Sequence, residues 1–146
     1  AQRRPRDPPG SNRPVTLVVD ASVVVHAALA GAWTPPLAAA RLIAPSLLWS
    51  EAAAAIRQPE FRSEITAEDG AAALAWLAGA SLASHPSSDL IGDARLLSRI
   101  LGWAKTYDAE YVALARRLGC PFVTADARLH ASAAAIVLAV GPAEVR

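Results

Sequence analysis

Val15-Thr16-Leu17-Val18-Val19-Asp20-Ala21-Ser22 is the stretch on which the reading of this chain turns. The run is apolar and β-branched, follows Pro14 and stops on a carboxylate, the pattern of a strand buried on both faces of a parallel sheet. Asp20 then stands at the carboxyl end of that strand. Open α/β sheets bind ligands along this edge, because the loops there are free to carry polar groups while the strands stay packed. Pro121-Phe122-Val123-Thr124, followed by Ala125-Asp126, repeats the arrangement of strand and then acid. A last apolar run, Ala134 to Val140, precedes Gly141-Pro142. Strands separated by helical segments over this length predict an α/β fold, a three-layer α/β/α sandwich around a central, mostly parallel sheet.

The intervening segments are predicted to be helical for local reasons. Ser22 to Leu29 has the apolar content of a first helix, stopped near Gly31, and Pro35-Pro36 marks a new start, with a short helix over Leu37 to Leu42 leading into Ile43-Ala44-Pro45. Ser46 to Arg57 is rich in Ala and Leu and ends ahead of Pro59, so a helix is predicted with Glu51 in its second turn. The neighbours of Glu51 at three and four residues are Leu47, Leu48, Ala54 and Ala55, so the carboxylate emerges from a mostly apolar face and needs a partner. Thr66-Ala67-Glu68-Asp69 has the form of a capping box for a helix through Leu77, closed by Gly79. A short strand over Ser81 to Ser84 and a helix over Ser88 to Lys105 follow, the latter with Leu90, Ala94, Leu97 and Leu101 at helical spacing and no constellation that reads as chemistry. Thr106 to Leu118 predicts a further helix ended by Gly119, with Tyr107, Tyr111, Leu114 and Leu118 on its core face. Asp108 falls in its first turn, where the positive end of the helix dipole favours the ionised form. Glu110 and Asp93 read as solvated helix residues.

Composition bounds the function. The 146 residues suit one domain, and an apolar fraction of 53% with 18% charged residues excludes a disordered chain or a polyelectrolyte. No stretch approaches the roughly 18 uninterrupted apolar residues of a membrane span, so a soluble, cytoplasmic protein is expected. Residues 1–14 are polar and Arg-rich without an apolar core, unlike a secretory signal, and read as a flexible basic tail ahead of a folded domain over residues 15–146. That tail holds Arg3, Arg4, Arg6 and Arg13 against Asp7, a balance of +3, which leaves −2 for the rest of a chain of net charge +1. Any phosphate-handling surface must therefore be local, with a bound cation supplying positive charge. A single cysteine, Cys120, excludes an intramolecular disulfide and a multi-cysteine zinc site, and reads as a small buried hydrophobe. His26, His85 and His130 lack the paired spacing of a zinc site, although His130 lies one helical turn beyond Asp126 and is a lesser candidate for lining a cleft. Trp33, Trp49, Trp76 and Trp103 read as core or contact residues.

Four acids, Asp20, Glu51, Asp108 and Asp126, are thus candidates for one site. Carboxylates gathered at one edge repel each other and raise one another's pKa unless a cation sits among them, and hard divalent ions prefer carboxylate oxygen. The residues around them carry a family likeness. Val18-Val19-Asp20-Ala21-Ser22, Pro45-Ser46-Leu47-Leu48-Trp49-Ser50-Glu51, Thr106-Tyr107-Asp108-Ala109-Glu110-Tyr111-Val112-Ala113-Leu114-Ala115 and Thr124-Ala125-Asp126-Ala127-Arg128-Leu129 resemble, in order, the four acidic motifs of the PIN domain. In particular they resemble those of VapC-type toxins of bacterial type II toxin–antitoxin pairs, over about residues 15–140. The resemblance implies a PIN-like fold and a Mg²⁺- or Mn²⁺-dependent endoribonuclease, with Asp20, Glu51, Asp108 and Asp126 as catalytic, metal-holding residues and Ser22 and Thr124 as hydroxyl-bearing supports. It further implies metal-activated water as the attacking group, RNA such as tRNA or rRNA as substrate, a 5′-phosphate and a 3′-hydroxyl as products, a cognate antitoxin protein as partner, and a homodimer. One metal ion and two are both compatible with these residues.

Two other classes of function compete. A PIN-like module that binds RNA or protein without cutting has little use for four mutually repelling acids. A phosphotransfer or phosphatase domain with Asp20 as nucleophile lacks a second acid two places on, a Gly-rich phosphate loop and a lysine near a strand end, Lys105 being the chain's only lysine.

Overall fold

The computed structural model describes residues 13–146, so residues 1–12 of the expected tail lie outside the described residues. Strand β1 (Thr16–Val19) leads into helix α1 (Ala21–Ala30), then α2 (Pro35–Ala39), β2 (Arg41–Pro45), α3 (Leu48–Phe61), α4 (Ala67–Ala78) and β3 (Ala83–His85). After a 3₁₀ turn at Ser87–Asp89 come α5 (Ile91–Leu101), α6 (Tyr107–Leu118), β4 (Phe122–Val123), α7 (Ala127–Ala133) and β5 (Ala139–Val140). The five strands form one sheet in the order β3-β2-β1-β4-β5, every pairing parallel. β1 reads as a continuous apolar run because both its faces are covered, Leu17, Val18 and Val19 all being buried.

Connections between parallel strands are right-handed, so the helices that lead from β1 to β2 to β3 fall on one face and those that lead back to β4 and β5 fall on the other. The packing agrees: α1, α3 and α4 touch one another, while α5 packs on α6, and α6 crosses β1, β2 and β4. This is the three-layer α/β/α sandwich. Val24, Leu48, Ile56, Leu97, Tyr111, Leu114 and Phe122 all belong to one continuous buried core. The chain steps outward from β1 on one side and returns to pair β4 on its other side. The point where its direction reverses therefore lies between the carboxyl ends of β1 and β4.

Several boundaries differ from the sequence expectation. The short helix after Pro35-Pro36 ends at Ala39, and Arg41 and Leu42 belong to β2 because they pair with Thr16 and Leu17, the Arg41 N–H donating to the Val15 carbonyl (2.8 Å). α3 starts at Leu48, since Ser46 and Leu47 are bonded to the segment after β3: Ser46 N–H to the His85 carbonyl (2.7 Å), Leu47 N–H to Ser87 Oγ (3.0 Å) and Ser87 N–H to Ser46 Oγ (2.9 Å). The later start puts Glu51 in the first turn of α3. The same helix runs past Pro59 to Phe61; near a helix end the proline deprives only the Ala55 carbonyl of its donor. α5 stops at Leu101 because Gly102 turns left-handed (φ 70°), so the residues up to Lys105 leave the helix. Ala134 to Leu138 form turns and only Ala139–Val140 pair in the sheet. Tyr107 and Leu118, expected in the core, are largely exposed because they stand at the two ends of α6, beyond the sheet that covers Tyr111 and Leu114.

Candidate active site

Each acid is carried to the sheet edge by a local rule. Asp20 ends β1 and caps α1, its Oδ1 accepting from the Val23 N–H (3.2 Å). Asp126 does the same one strand away, ending the β4 segment and capping α7 by accepting from the Arg128 and Leu129 N–H groups (2.9 and 3.1 Å). Asp108 stands in the first turn of α6 and Glu51 in the first turn of α3. Glu51, Asp108 and Asp126 line one open cleft of about 550 Å³. Asp20 is buried, close enough for its charge to act on Glu51 and for that of Asp108 to act on it.

The two hydroxyls tie β1 to the β4–α7 loop. Ser22 Oγ donates to Asp20 Oδ1 (2.6 Å) and accepts from the Ala125 N–H (3.0 Å). Thr124 Oγ1, 1% exposed, donates to Asp20 Oδ2 (2.6 Å) and accepts from the Asp126 N–H (3.0 Å). Both Asp20 oxygens thus receive a short bond from a hydroxyl whose own acceptor capacity is used, a fully oriented arrangement. Glu51 has its partner as well: Tyr111, about one turn along α6 from Asp108 and with its ring tilted against that of Phe122, donates its hydroxyl to Glu51 Oε1 (2.7 Å). Asp108 accepts no hydrogen bond among the described residues, and neither does Asp126 Oδ2.

The electrostatics are those of a carboxylate cluster. Burial, above all, pushes the Asp20 carboxyl above its ordinary value against the bonds from Ser22, Thr124 and Val23, and the charge of Asp108 pushes the same way. Burial likewise raises Glu51, opposed by the Tyr111 hydroxyl and reinforced by Asp108, Asp20 and Glu110. Asp108 is raised by burial and then by Asp126. Burial beside these acids also drives the Tyr111 hydroxyl far up, so it remains a donor at any working pH. The acids therefore feel one another across a shared space. Among the described residues no three of them converge tightly enough to cage an ion as the side chains stand, so they line an open cleft rather than a closed coordination shell. Such a lining suits a hard cation that keeps most of its water and takes one or two carboxylates directly, as Mg²⁺ does.

Glu110 departs from its expected role. It is 6% exposed and its Oε1 has no partner among the described residues. Every residue of α6 from Ala109 to Ala115 is buried, so no face of this stretch reaches water. The signal was present, since Ala-Glu-Tyr-Val-Ala-Leu-Ala is apolar all round apart from the acid. Asp93, by contrast, is exposed as expected and pairs with Arg117 (2.7 Å). His130 lines a separate recess beside Asp126 and Pro142, not the acidic cleft. The segment after α5, expected to be purely structural, supplies cleft wall through Trp103 and Lys105, with Tyr107 and Arg128 continuing it. Trp103 also packs on the core, as do Trp33, Trp49 and Trp76. Cys120 is half-buried and burial raises its thiol, consistent with a small packing residue.

No family model matches this sequence. Ribonuclease VapC9 of Mycobacterium tuberculosis is 38% identical to it over 114 residues, 77% of this chain and 87% of the relative. This chain belongs to the VapC family. A VapC ribonuclease of Mycobacterium bovis matches to the same extent. Among solved structures, PAE2754 from Pyrobaculum aerophilum is similar at a TM-score of 0.69 and 25% identity, covering 89% of this chain and 92% of that one. FitAcB from Neisseria gonorrhoeae, at a TM-score of 0.52 and 13% identity over 88% of this chain and 99% of that one, shares the fold. The PIN-like three-layer architecture of this VapC chain, with its all-parallel sheet, is the one its acidic motifs implied. No helix among the described residues is long and apolar enough to cross a membrane.

Proposed function

We propose that this VapC chain is a Mg²⁺- or Mn²⁺-dependent endoribonuclease, the toxin of a toxin–antitoxin pair, with a cognate antitoxin as protein partner and a homodimer as its assembled form. The observation that carries the reading is the meeting of Asp20, Glu51, Asp108 and Asp126 at the reversal point of the sheet, their charges coupled and no lysine or arginine paired to any of them among the described residues. Its relatives' ribonuclease names agree. Hard oxygen donors of this kind fit a divalent ion, and the four acids would hold it together, one or two directly and the others through its waters. Bound there, the ion supplies Lewis acidity toward a phosphoryl oxygen and neutralises charge in the displacement.

The chain's own residues do the rest. Ser22 and Thr124 aim Asp20 and oppose the upward push of burial on its carboxyl, because hydroxyl bonds to both oxygens resist rotation and favour the ionised form. Tyr111 fixes one oxygen of Glu51 and leaves the other to orient the attacking water and accept its proton. The new bond from the water oxygen to phosphorus forms in line as the bond from phosphorus to O3′ breaks, and O3′ takes a proton from solvent. The products are a 5′-phosphate and a 3′-hydroxyl.

Cleavage of single-stranded RNA by the purified protein with Mg²⁺ or Mn²⁺ tests this. Asp20→Ala and Asp108→Asn are each expected to lower kcat at least about a hundredfold, as loss of a positioned catalytic group does. A chelator should abolish activity, and a single 2′-deoxy residue at the cleaved linkage should still be cut. Equal cleavage by the two variants, or a 2′,3′-cyclic phosphate product, overturns the reading.

A further inference from the structure

The acidic cleft also holds two cations that none of the acids use. Lys105 and Arg128 line it together with Glu51, Asp108 and Asp126. Neither side chain makes an ion pair or hydrogen bond among the described residues, whereas Arg117 is engaged by Asp89 and Asp93, Arg57 by Glu60 and Arg62 by Glu64. Positive charge beside a cluster of negative charge, paired to none of it, is positive charge left for a third party.

The backbone that carries each cation is anchored. The backbone of the loop that carries Lys105 is bonded twice to the buried Ser98 of α5: its hydroxyl donates to the Lys105 carbonyl (3.3 Å), and the Trp103 N–H donates to the Ser98 carbonyl (2.8 Å). The backbone N–H of Arg128 is bonded to the Asp126 carboxylate itself, which ties the guanidinium's starting point to one of the acids. Tyr107, an aromatic ring 56% exposed at the first position of α6, lines the same cleft.

We propose that Lys105 and Arg128 bind the phosphates flanking the cleaved linkage of a single-stranded RNA, and that Tyr107 is the ring on which a flanking base stacks. The inference rests on the ribonuclease reading and names the wall along which that substrate lies. Unpaired cations and an exposed aromatic ring lining one cleft are the chemistry of single-strand binding, since every base has a π-face and every linkage a phosphate. Lys105, Arg128 and Tyr107 are positioning residues, and their loss acts on binding before it acts on the reaction.

The test is the binding of a short fluorescein-labelled single-stranded RNA, followed by anisotropy in Mg²⁺ at several salt concentrations. The protein is the full chain carrying Asp108→Asn, which keeps the RNA intact. Adding Arg128→Gln or Lys105→Gln is expected to weaken binding about tenfold and to lower the slope of log affinity against log salt by about 0.7 each, the share of one phosphate contact. Tyr107→Ala should weaken single-stranded RNA about tenfold and a perfect duplex hardly at all. Arg41→Gln, at the amino end of β2 and away from the cleft, is the control and should change nothing. With Asp108 restored, Arg128→Gln should raise KM and leave kcat in place. Unchanged affinity, an unchanged salt slope, or a fall in kcat at constant KM overturns the proposal. Arg128-dependent binding by a protein that cleaves no RNA would sink the ribonuclease reading and leave the wall standing; cleavage without that dependence would do the reverse. No RNA binding at all removes both.

Discussion

A single hydroxyl shows how closely the site is tied to the fold. Thr124 Oγ1 is the one atom that touches both Asp20 and the backbone of Asp126. Thr124→Val keeps the shape, removes the donor and leaves a buried carboxylate short of a partner, so it should cost about 1–3 kcal/mol in chemical denaturation and most of the activity. Thr124→Ser should recover both; if valine is as stable as threonine, the bond to Asp20 is not holding these strands together. The carboxyls themselves make a pH prediction. Asp20, Glu51 and Asp108 have folded-state pKa values above their ordinary ones, so the folded protein holds these protons more tightly than the unfolded chain. Their stabilising contribution is complete below the ordinary values of 3.8 and 4.5 and is lost as pH rises through the raised ones. In chelator, the melting temperature should therefore fall as pH climbs from about 4 toward neutrality. Asp108→Asn should flatten that decline, and added Mg²⁺ or Mn²⁺ should reverse it in the parent protein only. Asp89, held below its ordinary value by His85 and Arg117, acts in the opposite sense and at lower pH, outside this window.

At the scale of elements, the caps are separable from the chemistry. Thr66 closes a reciprocal capping box with Asp69 at the start of α4 (3.0 and 3.3 Å), on the exposed surface and away from the acids. Thr66→Ala should cost about 1 kcal/mol of stability by thermal denaturation while kcat and KM for RNA stay where they were. A coupled loss of activity would mean that α4 positions the site. This box was legible in four residues, as were β1, the left-handed ends of α1 and α6 at Gly31 and Gly119, and the strand-then-acid pattern of Asp20 and Asp126, because each is a local rule written in adjacent side chains. What could not be read locally was decided by partners far along the chain. The start of α3 depends on Ser87, forty residues on, and the span of β2 on its register with β1. Glu110 is inside because α5 and the sheet close over α6 from both sides. The bond from Tyr111 to Glu51 spans sixty residues, and no periodicity announces it. Even the cleft wall at Lys105 follows from Gly102 ending α5 early, a conformation that a glycine permits but does not by itself require.

At the scale of the molecule, the position of β1 matters more than its composition. It is the middle strand of five, and the two acids that share the Thr124 hydroxyl come from β1 and from β4, its neighbour on the side filled last. Thr124 and Asp20 are separated by 104 residues of sequence. A ribosome making this chain releases Asp20, Glu51 and Asp108 before it has made β4, and until that strand arrives the flank of β1 is bare and the Asp20 carboxyl lacks its Thr124 clasp. A version halted at Gly119 should accordingly give no cooperative melt and cut nothing. Whatever the four acids do, Asp20 cannot be clasped by Thr124 until β4 has emerged.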